Sequence, residues 1–365
     1  ALGAALAPTP EMFLLARTIQ GVGAAALIPP ALAMVLIDIP KEKQGAAVGL
    51  WGSIGATAAV LGPMASGSLI EFFGWRSTFA FMVLIGFLAL IVGIKNLNES
   101  NDPEVPENLD LISVFSGVIS IGALTLALLQ GNSWGWFSIK ILFLIFLLVI
   151  ASCIFWVTSK RSKSPLLDLE LFGNNQYLQA TITAGFHQIA FFAFFFSVPI
   201  LLSEVWGWSA FKTGFAVAPS MILSAFIQAP IGALCDRVGY RKLILLGGLV
   251  PTLGVVWWVI FIDLKANYLI DFLPGVLIIA IGGSMVGITT TGAALTVVAP
   301  TKLGIANATH QVARRFGSTI GVALAVGLGA GSSRLDTLAN IKILWWLVAI
   351  TYAMGSIVVW RSKIE

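Results

Sequence analysis

The sequence predicts an all-α polytopic membrane protein, and three observations carry that prediction. Of its 365 residues, 58% are hydrophobic and only 10% are charged, whereas a water-soluble domain carries about 25% charged residues. Apolar runs recur at about the length a helix needs to cross roughly 30 Å of hydrocarbon. Threading those runs places 14 Lys and Arg on one face of the membrane and six on the other, a bias that marks the first face as cytoplasmic. The short alternating segments of a barrel are absent. The isoelectric point near 9.1 is thereby assigned to topology, and no nucleic acid is expected as a partner.

Eleven spans are expected, at about 11–38, 45–70, 76–95, 112–130, 139–158, 177–202, 213–234, 243–263, 272–298, 305–330 and 342–360. The opening ALGAALAPTP has no basic n-region and is not a signal peptide; it reads as the last turns of a helix. The first span holds Arg17, a charge costing about 2.5–3.5 kcal/mol at a span centre, which points to a cavity or a partner. Gln20, Gly21 and Gly23 stand beside it. The second span carries Gly49, Gly52, Gly55, Gly62, Pro63 and Gly67. Gly52, Gly55 and Gly62 share a face, which allows close helix packing, and Pro63 removes a backbone hydrogen bond. After the third span, 96–111 is an acidic linker with Pro103 and Pro106. The next two spans form a hairpin, and 159–175 is basic and then amphipathic. The expected organisation is a remnant of an N-terminal bundle at 1–95, a linker with the inserted hairpin at 96–175, and a six-span bundle at 176–365.

The sixth span contains His187 and Gln188 among Phe191, Phe192, Phe194, Phe195 and Phe196. A membrane histidine can relay protons or touch a ligand, or simply bond across helices. The phenylalanines suit an apolar or aromatic cation, although lipid-facing packing is the expectation for most of them. Gln311, Arg314 and Arg315 open the tenth span, with interfacial anchoring as the default. No Asp or Glu sits near the middle of any span. Asp38, Glu71, Glu204 and Asp236 all lie near span ends. A proton carrier in the chain would therefore be His187, or else an acid outside it. Cys153 and Cys235 show no metal or redox spacing. GLGAGS at 327–332 follows no strand and fails the context of a nucleotide loop. No enzyme, cofactor or metal is expected.

One polar phrase occurs twice. GSLIEFFGWR (Gly67–Arg76) and GALCDRVGYR (Gly232–Arg241) share the template Gly-x-Leu-x-acid-x-x-Gly-aromatic-Arg. Five spans separate the copies, so they fall on opposite faces, as inverted repeats require. Gly232, Asp236, Arg237, Gly239, Arg241 and Lys242 form an expected inner-face latch, in which Asp236 pairs with nearby arginines. Glu71 and Arg76 are its outer-face mirror.

FLLARTIQGVGAA, GLWGSIGATAAVLGPMASG and GALCDRVGYRK resemble three motifs of the major facilitator superfamily, the second being that of its drug–proton antiporters. The hairpin, PLLDLELF and ATHQVARRFGSTIGVAL look like the fourteen-span EmrB/QacA type. Ala58 and Ser66 stand where glycine is usual. The resemblance implies that Arg17, Gln20, Gly21, Gly62, Pro63 and Gly67 serve proton coupling and gating, Arg17 by tuning a carboxylate, since an arginine keeps its own proton. It implies alternating-access efflux of a small amphipathic or cationic substrate in exchange for protons. The setting would be the lipid bilayer of a bacterial inner membrane, with the C-terminus cytoplasmic and a periplasmic adaptor as a further candidate partner. It also implies that two spans and most of a third precede residue 1. The alternatives are a permease for a metabolite, siderophore or sugar, and a non-transporting membrane fragment or adaptor.

Overall fold

The computed structural model describes residues 1–37, 39–40, 43–96, 110–161, 169–265, 267–329 and 331–360; within the helices, the side chains at 28–30, 33, 37, 59–60, 63–64, 67, 71, 96, 132, 161, 169 and 210–211 are not described. The acidic linker at 97–109 and the basic stretch at 162–168 lie outside the described residues.

Every expected span is a helix. After the short α1 (Leu2–Leu6) come α2 (Pro10–Ile37), α3 (Gln44–Phe73) and α4 (Arg76–Asn96), then the hairpin of α5 (Leu111–Trp134) and α6 (Ile139–Arg161). The last six spans are α7 (Asn175–Ile200), α8 with α9 (Ala210–Ala216 and Ala218–Val238), α10 (Tyr240–Phe261), α11 (Leu273–Leu295), α12 (Leu303–Gly329) and α13 (Arg334–Trp360). Among the described residues, eight helices are long and apolar enough to cross a membrane by length and composition alone. The outward surface fits a lipid solvent: Ile94, Leu27 and Ile139 are 76%, 69% and 80% exposed. In water so large an apolar surface would aggregate.

One span departs from expectation. The segment at 213–234 is two helices, interrupted at Val217. Pro219 has no N–H to donate to the preceding turn, so it starts a new helix more readily than it continues an old one.

Two apolar cores hold the helices. One gathers Phe194, Trp258, Phe272, Trp345 and Tyr352 from α7, α10, α11 and α13 with the turn before α11. Its buried ring nitrogens are satisfied: Trp258 Nε1 donates to Phe272 O at 2.8 Å and Trp345 Nε1 to Ser197 Oγ at 2.9 Å. The other joins Leu32, Leu36 and Val48 of α2 and α3 to Tyr177, Cys235, Tyr240, Ile288 and Leu303. The hairpin is stitched by hydroxyls, with Ser113 Oγ donating to Thr158 Oγ1 and Ser120 bonding Ser152, both at 2.7 Å.

Close packing of α7 on α12 rests on bare backbone. A Cβ at Gly321 would meet Ile189 O and, at 2.9 Å, Ala193 N. Gly321→Val is expected to destabilise the protein by about 1–3 kcal/mol, as overpacking does. Thermal unfolding in detergent tests this, with Gly304→Ala as the control, because nothing lies within 4 Å of a Cβ there.

Candidate functional site

The two copies of the repeated phrase fold alike. Gly74 ends α3 at φ 78 and ψ 167, and its N–H donates to Ile70 O at 3.0 Å. Gly239 ends α9 at φ 81 and ψ 157, and its N–H donates to Cys235 O at 2.9 Å. A positive φ strains any side chain, which is why the template fixes glycine there. The next residues, Trp75–Arg76 and Tyr240–Arg241, open the following helix in each case. Beyond this shared turn the copies part.

In the second copy, the carboxylate sits on another helix. Asp236 Oδ1 accepts from Gly45 N–H and Oδ2 from Ala46 N–H, both at 2.9 Å. These amides open α3, where no helical carbonyl can reach them and the dipole favours an anion. This corrects the expected pairing of Asp236 with nearby arginines: Arg237 and Lys242 are exposed, and Arg241 Nη2 donates to Trp360 O at 2.5 Å, at the end of α13. In the first copy, Arg76 Nη2 donates to Ala7 O at 3.0 Å, and its guanidinium lies 4.4 Å over the Trp75 ring. The side chains of Glu71 and Pro63 lie outside the described residues, and the surroundings of Gly67 are likewise not described.

The bond from Asp236 is one end of a tight crossing between α3 and α9. A Cβ at Gly232 would meet Gly45 O and, at 2.8 Å, Gly49 Cα. One at Gly49 would stand 2.7 Å from Gln228 O, and one at Gly52 would strike Gln228 Oε1. Ala229 N–H donates to Ser53 Oγ at 3.0 Å. The glycines used are therefore Gly45, Gly49 and Gly52. Of the expected shared face of Gly52, Gly55 and Gly62, Gly52 alone packs here: nothing lies within 4 Å of a Cβ at Gly55 or Gly62.

Beside this crossing, a cavity of about 320 Å³ lies between α2, α3, α7, α9, α11 and α12. Its apolar wall includes Leu32, Trp51, Phe191, Phe194, Phe195, Val276 and Ile279. Its polar groups include His187, Gln188, Gln228, Ser284, Thr291, Gln311 and Arg314. His187 is buried, its ring 6.1 Å from that of Phe191 and 5.5 Å from that of Tyr352, and its Nδ1 has no partner among the described residues. Three of the five phenylalanines that were expected mostly to face lipid line the cavity instead, and Phe196 is 40% exposed.

Arg314 and Gln311 were expected at an interface. The helix begins at Leu303, which puts Arg314 about 16 Å along it at 1.5 Å per residue. Arg315, its neighbour, is exposed. Sequence reading also passed over His310, which is fully buried and lies 3.1 Å from Thr181 Oγ1 and 3.4 Å from Thr291 Oγ1. The run Thr289–Thr291 inside an apolar span was the available signal for this polar seam.

Arg17 is exposed and lies away from the cavity. Its Nη1 donates to Gln20 Oε1 at 2.9 Å, and the guanidinium stands 5.6 Å over the Phe79 ring. Gln20 Nε2 donates to Met82 Sδ at 3.8 Å. A Cβ at Gly21 would meet nothing within 4 Å. The structure brings His187 and Gln188 into one cavity and Gly232 and Asp236 into one crossing, and it leaves Arg17, Gln20 and Gly21 apart from both. No group of three or more potential metal ligands occurs among the described residues.

The model of the Major Facilitator Superfamily matches residues 1–110, 106–322 and 180–363. Multidrug resistance protein Stp of Mycobacterium tuberculosis is 29% identical over 320 residues, which are 87% of this chain and 59% of that protein. Multidrug resistance protein 3 of Bacillus subtilis is 27% identical over 87% of this chain and 62% of its own length. Multidrug export protein EmrB of Escherichia coli is 24% identical over 86% of this chain and 61% of its own. The chain thus spans about three fifths of the length of these relatives.

Proposed function

Because the chain belongs to the Major Facilitator Superfamily and is a multi-pass membrane protein, we propose that it forms the larger part of a proton-coupled exporter of small amphipathic molecules. The cavity carries this reading. It is lined by both apolar and polar side chains, as an amphipathic guest requires, and it adjoins the α3–α9 crossing at Gly52 and Gln228. Family membership makes this a transporter rather than an enzyme, and the names of the three relatives support export of drugs.

Residues 1–95 and 176–365 act as two bundles that rock about the cavity, with 96–175 supplying the inserted hairpin. Parting of the α3–α9 crossing opens one face; its closure seals that face. Lys and Arg placement supports assigning the sealed end to the cytoplasm of a bacterial inner membrane, with the C-terminus on the same side. Gly62, Pro63 and Gly67 serve the opposite half of α3, where close packing would accompany the other state. Arg17, held by Gln20 and flanked by Gly21, acts on a carboxylate from outside the described residues. His187 is the titratable group of the cavity itself. A periplasmic adaptor is a partner suggested by the resemblance alone.

Reconstitution of the full-length protein in vesicles tests the proposal. A pH difference of one unit is expected to drive uphill movement of an amphipathic fluorophore, to a gradient of up to about tenfold for one proton exchanged. A panel of neutral, anionic and cationic fluorophores, none of which moves uphill, would overturn it.

A further inference from the structure

We propose that the cavity selects amphipathic organic anions, seating a carboxylate on Arg314 and the apolar body against Phe191, Phe195 and Ile279. This rests on the reading of the cavity as the substrate site. Arg314 is the one cation lining it, and no Asp or Glu lines it among the described residues. The described residues likewise give Arg314 no ion pair and no hydrogen bond. His187, the other titratable group there, adds positive charge or none. A guanidinium facing a mostly apolar cavity with no carboxylate beside it is poorly compensated. A guest that brings a carboxylate supplies that compensation, and the planar fork of five N–H donors matches two carboxylate oxygens at once. Gln188 and Gln311 line the same cavity and supply neutral N–H donors. A cationic guest gains none of this and is repelled.

Three fluorophores with one ring system separate charge from shape: 9-anthracenecarboxylate, 9-anthracenemethanol and 9-(methylaminomethyl)anthracene. Fluorescence polarisation on the purified full-length protein reads their affinities. The carboxylate is expected to bind at least about tenfold more tightly than the alcohol, and the ammonium more weakly than either, given the strength of charge-assisted bonds. Arg314→Gln should erase the preference for the anion and leave the alcohol unchanged, while Arg314→Lys keeps part of it. Ala280→Trp, which fills the cavity, should remove binding of all three. Tighter binding of the ammonium, or an equal loss for all three in Arg314→Gln, would overturn the inference while leaving the site intact. Full binding in Ala280→Trp would overturn the site reading and this inference together. Size-exclusion profiles confirm that each variant is folded.

Discussion

Gly232→Val is expected to reduce transport to below about a tenth of the normal rate while leaving the protein folded. The added Cβ meets backbone, Gly45 O and Gly49 Cα at 2.8 Å, and backbone cannot rotate out of the way. Carbon atoms rest at about 3.5–4.0 Å, so the helices must part by roughly 1 Å before counting the two methyl groups of valine. Overpacking of this kind costs about 1–3 kcal/mol, and here the cost falls on the closed crossing alone. The core around Phe194, Trp258 and Trp345 does not include it, whereas the other core reaches it through Val48 and Cys235, so the thermal unfolding temperature should fall modestly without loss of the fold. Gly55→Val is the matched control, because it adds the same atoms to the other helix of the crossing, α3, where nothing lies within 4 Å, and it should transport normally. Transport by Gly232→Val at the rate of Gly55→Val would sink the assignment of this crossing as a gate.

Asp236→Ala should open the same crossing by electrostatics instead of sterics. Two charge-assisted hydrogen bonds, to Gly45 and Ala46 at 2.9 Å each, are lost together with an anion at a helix N-terminus. The combined loss is about 2 kcal/mol after water replaces the carboxylate, or roughly a 30-fold shift towards the parted state. Asp236→Asn keeps one acceptor but no charge and should fall between. Spin labels at Leu50 and Val238, both exposed on the flanks of the crossing, read the separation directly. An alanine variant with an unchanged distance distribution would refute the clasp. Substituting Arg237, which is exposed, should leave that distribution as it is.

How much of this could be read from the residues depended on what kind of contact was at stake. The helices were legible because a run of about 20 apolar residues has few other uses. The turn at Gly74 and Gly239 was legible because a repeated phrase with one fixed glycine points to one backbone geometry. The importance of the second span was legible too, but the register was not. Gly45, Gly49 and Gly52 meet α9 whereas Gly55 and Gly62 do not, and only the angle at which α9 crosses decides that. Asp236 was recognised as a latch with the wrong partner, because main-chain amides leave no mark in a sequence whereas arginines do. Arg314 was misplaced for a simpler reason. Two adjacent arginines look like an interfacial anchor, and only the packing of α12 against its neighbours shows that one of them lines the cavity.

The bare crossing of α3 on α9 has a consequence for how such a molecule can change. Its closing surface is largely main chain, clasped by the side chains of Asp236 and Ser53, and substitutions elsewhere on it that add no bulk leave it in place. The cavity wall is made of side chains, each free to be exchanged for another. Among the described residues, the two surfaces share Gly52 and Gln228. What the protein admits and how it shuts are thus written in separate alphabets, so the guest list can be revised without rebuilding the door.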